Sequence, residues 1–254
     1  MEAVQEARRS RVGVGGKILG LLVTNYRDPA WNLAIEEALL RDTCRGRSWA
    51  RIWVNSRSII IGRGLEPCEE VHCEEASRLG VRVYRRSSGG GAVYHDEGNL
   101  NFTLAVNTGN RVGVDKAYNN GLQIMLEALR RLGVNANIEN GNDIVVDGVK
   151  VSGSAAHITR CGFLFHATLL VDADMETLRR VIKPRLDRVR RGEVTPAKYN
   201  PGNLASIAGV TRSMAITAIL DVLASRYVIA PHHMIREVYD DALRIMKEKH
   251  ITVF

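Results

Sequence analysis

The feature that most constrains this chain is Asp147-Gly148, set between two valine-rich runs at residues 144–146 and 149–151. Asp-Gly tolerates the positive φ angles of a two-residue turn, so the flanking runs should pair as an antiparallel hairpin. A third apolar run, residues 162–171, follows closely in the chain. Further strand-like runs lie at 18–24, 51–54, 58–61, 81–85, 100–106 and 135–139, with a turn at Asn55-Ser56 joining the second and third. Helical spacing begins at Asp28-Pro29, where Trp31, Ala34, Ile35, Ala38 and Leu39 share a face and Glu36 and Glu37 are expected to point outward. Other helices are expected at 67–79, 115–132, 174–182, 213–225 and 232–249. No regular βαβ alternation appears. The pattern predicts an α/β (α+β) domain with mixed, largely antiparallel sheets flanked by helices.

A chain of 254 residues can bury a core without a metal or disulfide staple. With 45% hydrophobic and 25% charged residues it reads as globular, not disordered. No apolar run reaches the roughly 20 residues of a membrane span, so no membrane partner is expected. Residues 1–16 are charged and glycine-rich and lack a signal-peptide core, which predicts a flexible tail ahead of a domain at 17–254. Cys44, Cys68, Cys73 and Cys161 form no CxxC pair. They read as reduced thiols in a cytoplasmic protein, without zinc. The net charge is +7, and eight Lys and Arg stand against two acidic residues between Arg179 and Lys198. Such a patch fits an acidic protein or nucleotide. No aromatic-basic motif accompanies it, so nucleic acid is not expected.

Two stretches carry chemistry. Arg85-Arg86-Ser87-Ser88-Gly89-Gly90-Gly91-Ala92-Val93-Tyr94-His95 contains three consecutive glycines. They leave backbone N–H groups open to an anion, and the arginines add charge. It is neither a Walker loop nor a GxGxxG fingerprint opening a helix. The second stretch runs from Asn142-Asp143 to Lys150-Val151-Ser152-Gly153-Ser154-Ala155. A lysine between hairpin valines is solvated if it points outward and needs an anion if it points inward. The pattern leaves both orientations open.

Together these stretches resemble the signature of lipoate-protein ligases, in particular the catalytic domain of the lipoate-protein ligase A family. Four further segments resemble that family: Asp28-Pro29-Ala30-Trp31-Asn32, Ile59-Ile60-Ile61-Gly62-Arg63, Asp96-Glu97-Gly98-Asn99 and Phe165-His166-Ala167-Thr168. The resemblance implies a biotin/lipoate ligase-like fold related to class II aminoacyl-tRNA synthetases. It implies activation of lipoate by ATP and Mg²⁺ to lipoyl-AMP. The lipoyl group would then pass to a lysine of lipoyl domains, namely 2-oxoacid dehydrogenase acyltransferase subunits and the glycine cleavage H protein.

Carried over by position, the resemblance makes Lys150 the catalytic lysine, touching both adenylate and lipoate. Arg85, Gly90, Gly91, Ala92, Val93 and Asp143 would bind ATP and adenylate, with Asp143 as the Mg²⁺ ligand, directly or through water. Ser88, Gly89, His95 and His166 would shape the lipoate site. Val83, Val93, Val151 and Leu169 could line an aliphatic slot. The cationic stretch 179–198 could steer an acidic lipoyl domain.

Many members carry an accessory C-terminal domain, for which this chain leaves no evident room. A separate small accessory subunit is therefore expected. Two alternatives stand beside the ligase. One is an octanoyl or lipoyl transferase with Cys161 as nucleophile, activated by Arg160. The other is a non-catalytic paralogue that binds lipoate or adenylate.

Overall fold

The computed structural model describes residues 17–230, 235–249 and 251–254. The expected tail, residues 1–16, lies outside the described residues. Strands β1 (Ile18–Val23), β2 (Trp49–Trp53), β6 (Asn99–Asn107), β7 (Asn137–Glu139), β8 (Asp143–Val146), β9 (Val149–Ile158), β10 (Gly162–Leu170) and β11 (Val228–Ala230) form one sheet. Its spatial order is β11-β1-β2-β6-β10-β9-β8-β7. β1 runs parallel to β2 and β11, and the other neighbours are antiparallel. A smaller sheet pairs β3 (Ser58–Ile61) parallel with β4 (Arg82–Arg85) and antiparallel with β5 (Val93–His95). The mixed, largely antiparallel expectation holds.

Four long helices cover the larger sheet: α1 (Pro29–Asp42), α2 (Val114–Arg131), α3 (Arg212–Arg226) and α4 (Ile235–Glu248). Strand alternation decides which helices meet which face. Trp49 and Trp53 of β2 pack with Leu33 and Leu39 of α1 and with Val238 and Ile245 of α4. Ala50 and Ile52, one residue out of phase, pack with Leu122 and Met125 of α2 and Ile219 of α3. Helix α1 starts where Asp28 Oδ1 accepts the Ala30 N–H at 2.8 Å, with Pro29 in the first turn. Helix α2 sits close on β10 because Gly121 has no side chain: a Cβ there would lie 2.0 Å from the Phe165 ring.

Four local expectations are corrected. Residues 67–79 form two short helices, Pro67–Glu70 and Cys73–Arg78. The break at Val71 lets its backbone bridge Ile182, and the His72 N–H donates to Val181 O at 2.9 Å. The strands at 51–54 and 58–61 belong to different sheets. Glu36 is buried, not outward, because His166 and Thr103 hydrogen-bond its carboxylate. Finally, the cysteines are not reduced thiols: Cys44 pairs with Cys161 and Cys68 with Cys73. The first bridge ties the end of α1 to the β9–β10 turn across 117 residues of sequence. In the chain-entropy view a loop that long stabilises the fold by about 4 to 5 kcal/mol.

Candidate active site

A cavity of about 520 Å³ is lined by the glycine loop, by β8 to β10 and by the segment from Leu178 to Pro201. Its wall combines apolar side chains such as Leu33, Trp53 and Val93 with the charged Asp143, Lys150 and Lys198.

The orientation of Lys150 follows from β9. Val151 is fully buried in the core beneath α2 and α3, so its neighbour Lys150 projects to the opposite face, where the cavity lies. The hairpin turn before it has positive φ at both Asp147 (49°) and Gly148 (76°), as Asp-Gly predicts. Gly153 leaves room for the ammonium, since a Cβ there would come within 3.2 Å of Lys150 Nζ. The inward lysine has its anion. Lys150 Nζ lies 2.8 Å from Asp143 Oδ1, and Lys198 Nζ lies 2.9 Å from Asp143 Oδ2. Asn140 Nδ2 donates to the second oxygen at 3.1 Å. Burial pulls the Lys150 pKa down, Asp143 pushes it back up, and the neighbouring Lys198 lowers it again.

The glycine loop is held by Arg86. Its guanidinium donates to the carbonyls of Gly89 (2.7 Å), Gly91 (2.9 Å) and Ile60 (3.1 Å), and burial draws its pKa down to about 10. Arg85 is turned elsewhere: its Nη1 donates to the carbonyls of Gly62, Arg63 and Leu65, and it does not line the cavity. Gly90, Gly91, Ala92 and Val93 do line it. Gly90 has φ +94°, and the loop crosses Gly62 so closely that a Cβ on Gly62 would lie 2.0 Å from Gly90 O. The Ala92 N–H is taken internally, donating to Glu70 Oε2 at 2.8 Å.

A buried chain links α1 to this loop. His166 Nδ1 is 3.0 Å from both Glu36 oxygens, and His166 Nε2 is 2.8 Å from Ser88 Oγ. Arg86 Nε donates to the same hydroxyl at 3.0 Å. Burial pushes the Glu36 carboxyl up, but the charge and hydrogen bond of His166 and the hydroxyl of Thr103 outweigh it and hold the pKa low. Ser88 lies behind the cavity wall, whereas His166 and Glu36 line it. His95 also lines it; Asn55 Nδ2 lies 3.0 Å from its Nδ1, and burial drives its pKa down to about 3. It is neutral at ordinary pH.

Other expected residues lie apart from the cavity. Val83, Val151 and Leu169 are in the cores; of the four valine and leucine positions only Val93 reaches the wall. Cys161 is overturned as a nucleophile, because its sulfur is bonded to Cys44. It also sits at the far turn of the β9–β10 hairpin. Lys150 and Ile158 lie eight positions apart along β9, roughly 25 Å at the usual strand rise. The Asp143 oxygens do not fit direct Mg²⁺ ligation, being occupied by two ammonium groups and an amide. Among the described residues no group of three or more His, Cys, Asp or Glu could hold a metal ion. The cationic stretch is partly neutralised within itself, through Arg188–Glu193, Arg191–Glu193 and Arg191–Asp187 pairs.

Lys198, Glu36 and Glu70 line the cavity without having been assigned a role from sequence, and Arg86 was read only as charge on the glycine loop beside Arg85. Lys198 carried a signal only as the last cation of the patch. Glu36, at the edge of an apolar helical face, had a buried position available to it.

The model of the lipoyl protein ligase A/B catalytic domain matches residues 28–227. A protein of Aeropyrum pernix named "Putative lipoate-protein ligase A" is 44% identical over 225 residues, covering 88% of this chain and 84% of that protein. Among solved structures, the bi-partite lipoate protein ligase of Thermoplasma acidophilum, described with its E2 lipoyl domain, superposes with a TM-score of 0.76. It is 23% identical and covers 92% of this chain and 93% of that one. A lipoate-protein ligase A bound with ATP gives a TM-score of 0.76 at 24% identity, covering 92% and 95%.

Proposed function

The chain belongs to the lipoyl protein ligase A/B catalytic-domain family, and from that premise we propose that it is an ATP-dependent lipoate-protein ligase. The lipoate carboxylate attacks the α-phosphorus of ATP, pyrophosphate leaves, and lipoyl-AMP forms. The amine of an acceptor lysine then attacks the acyl carbonyl, loses a proton and expels AMP. The observation that carries this reading is the Lys150 ammonium, held by Asp143 in a partly apolar cavity beside the glycine loop.

Two anions must meet before the first step, and a fixed cation lowers that cost without reorganising. Lys150 supplies it. Arg86 keeps the loop carbonyls turned to itself, which favours an anion at the remaining N–H groups of residues 90–93. The apolar wall suits an aliphatic acyl chain, and neutral His95 adds no charge to it. Magnesium would enter with the nucleotide and not on Asp143, whose oxygens are already engaged. Ser88 and Gly89 act on lipoate through the loop they shape, and Arg85 fixes the 62–65 turn against which that loop folds.

Acceptors are lipoyl domains, as for the Thermoplasma ligase and its E2 lipoyl domain. Its bi-partite build supports a separate accessory polypeptide for this catalytic unit of residues 17–254. Use of ATP favours the cytoplasm. The two disulfides have precedent there, since intracellular proteins of hyperthermophiles are often disulfide-bonded. Among the described residues no helix is long and apolar enough to cross a membrane.

Lipoate-dependent ATP–pyrophosphate exchange, with and without an accessory polypeptide, tests the proposal. Exchange supports it. Acyl transfer without ATP, or tight lipoate binding with no exchange in either condition, overturns it.

A further inference from the structure

The Lys150–Asp143–Lys198 cluster holds one more cation than its carboxylate can neutralise. Asp143 is fully buried; Lys150 meets its Oδ1, and Lys198 reaches both of its oxygens. Both lysines line the cavity, with 17% and 20% of their side chains exposed. Their spacing is built in. The Lys150 N–H donates to Asn200 O at 2.8 Å, and the Gly202 N–H donates to Lys150 O at 3.1 Å. Two backbone hydrogen bonds thus clamp the segment that carries Lys198 to the backbone of Lys150 itself. A surface lysine of a cationic patch would need no such fixing.

We propose that Lys198 is a second anion-binding residue of the active site, gripping the phosphates of the nucleoside triphosphate while Lys150 spans phosphate and carboxylate. The proposal rests on the ligase reading. Its first support is charge. Asp143 leaves the cluster with a net positive charge, and the reaction brings in a carboxylate and a polyphosphate together. One lysine cannot neutralise both. The second is position. Lys198 closes a segment whose Arg179, Lys183 and Arg188 line the same cavity, and a cationic wall fits a polyphosphate better than an aliphatic acid. Asp143 then acts as a positioning residue. It aligns both ammonium groups before substrate arrives.

The experiment compares wild type with Lys198→Gln and Lys198→Arg in lipoate-dependent ATP–pyrophosphate exchange. Losing one charge-assisted contact should raise the KM for ATP at least about tenfold and leave the KM for lipoate within about twofold. Lys198→Arg should recover most of the loss. A second readout is the alkaline limb of the rate. The charged groups facing Lys150 are Asp143 from β8 and Lys198 from the 196–199 turn. Removing the like charge in Lys198→Gln should move that limb to higher pH, which a merely structural role would not do.

An unchanged KM for ATP in Lys198→Gln overturns the proposal. So does an equal loss toward both substrates without rescue by arginine. If wild type shows no exchange even with an accessory polypeptide, the ligase reading fails instead. Calorimetric ATP affinity of wild type against Lys198→Gln then still decides for or against Lys198 as a phosphate ligand.

Discussion

Glu36 and His166 meet beneath the cavity, with His166 Nδ1 3.0 Å from each oxygen of the Glu36 carboxylate. Thr103 Oγ1 donates to the same carboxylate at 2.6 Å, and the far side of His166 reaches Ser88 and hence the glycine loop. The pair therefore joins helix α1 to the loop.

Glu36→Gln keeps the shape and removes the charge. Leaving His166 with a weaker acceptor should cost about 1 to 3 kcal/mol and loosen the loop, raising the KM for ATP. The acid dependence should change too. The Glu36 pKa is depressed from 4.5, so its stabilisation is complete above that pH and is lost as pH falls through the folded value. Chemical denaturation between pH 7 and pH 3 should show a shallower loss in Glu36→Gln than in wild type.

His95 has the opposite sign of consequence. Its pKa falls from 6.5 to about 3, so the unfolded chain takes up this proton first. The residue contributes no pH dependence above 6.5 and destabilises the fold progressively below it. Its ring resonances in a pH-titrated NMR spectrum should stay those of a neutral imidazole down to about pH 4. A midpoint near 6.5 would contradict the burial argument.

Lys150→Met should abolish lipoyl-AMP formation by at least about a hundredfold, since the fixed cation is lost from the reacting centre. Folding should survive. Asp143 keeps Lys198 and Asn140 as partners, and the desolvation cost of one buried ammonium disappears. The checks are exchange assay and thermal melt together: an inactive variant with a melting temperature near wild type is expected.

Gly62→Ala separates loop geometry from charge. Its Cβ would meet Gly90 O at 2.0 Å, so the glycine loop must shift while every charged residue stays. Such a displacement should lower kcat/KM for ATP by tenfold or more, because an ångström of misplacement is costly at a reacting centre. Hydrogen–deuterium exchange over residues 86–93 should rise in parallel.

Cys161→Ser should keep full ligase activity and lose stability by up to about 5 kcal/mol, the loop-entropy value for a bridge spanning 117 residues. Full activity with a lowered melting temperature identifies Cys161 as structural. Loss of acyl transfer at an unchanged melting temperature would restore the nucleophile reading.

Sequence alone determined the features that local dihedral and pattern preferences dictate. The Asp147-Gly148 turn, the triple-glycine loop, the N-terminus of α1 at Asp28-Pro29 and the mixed-sheet architecture each follow from neighbours within a few residues. The motif order around Arg85–His95 and Lys150 also sufficed to indicate the family. Tertiary structure decided what depends on groups far apart in the chain. Strand alternation against the α2–α3 core turned Lys150 inward, and the clamp at residues 200–202 brought Lys198 to Asp143 across 55 positions. It also set Arg86 under the loop in place of Arg85, buried Glu36 against His166, and closed Cys161 onto Cys44. The physical reason is common to these cases. A side chain's charge and size are written in its own residue, but its partner and the water it loses are set by which elements the sheets bring together.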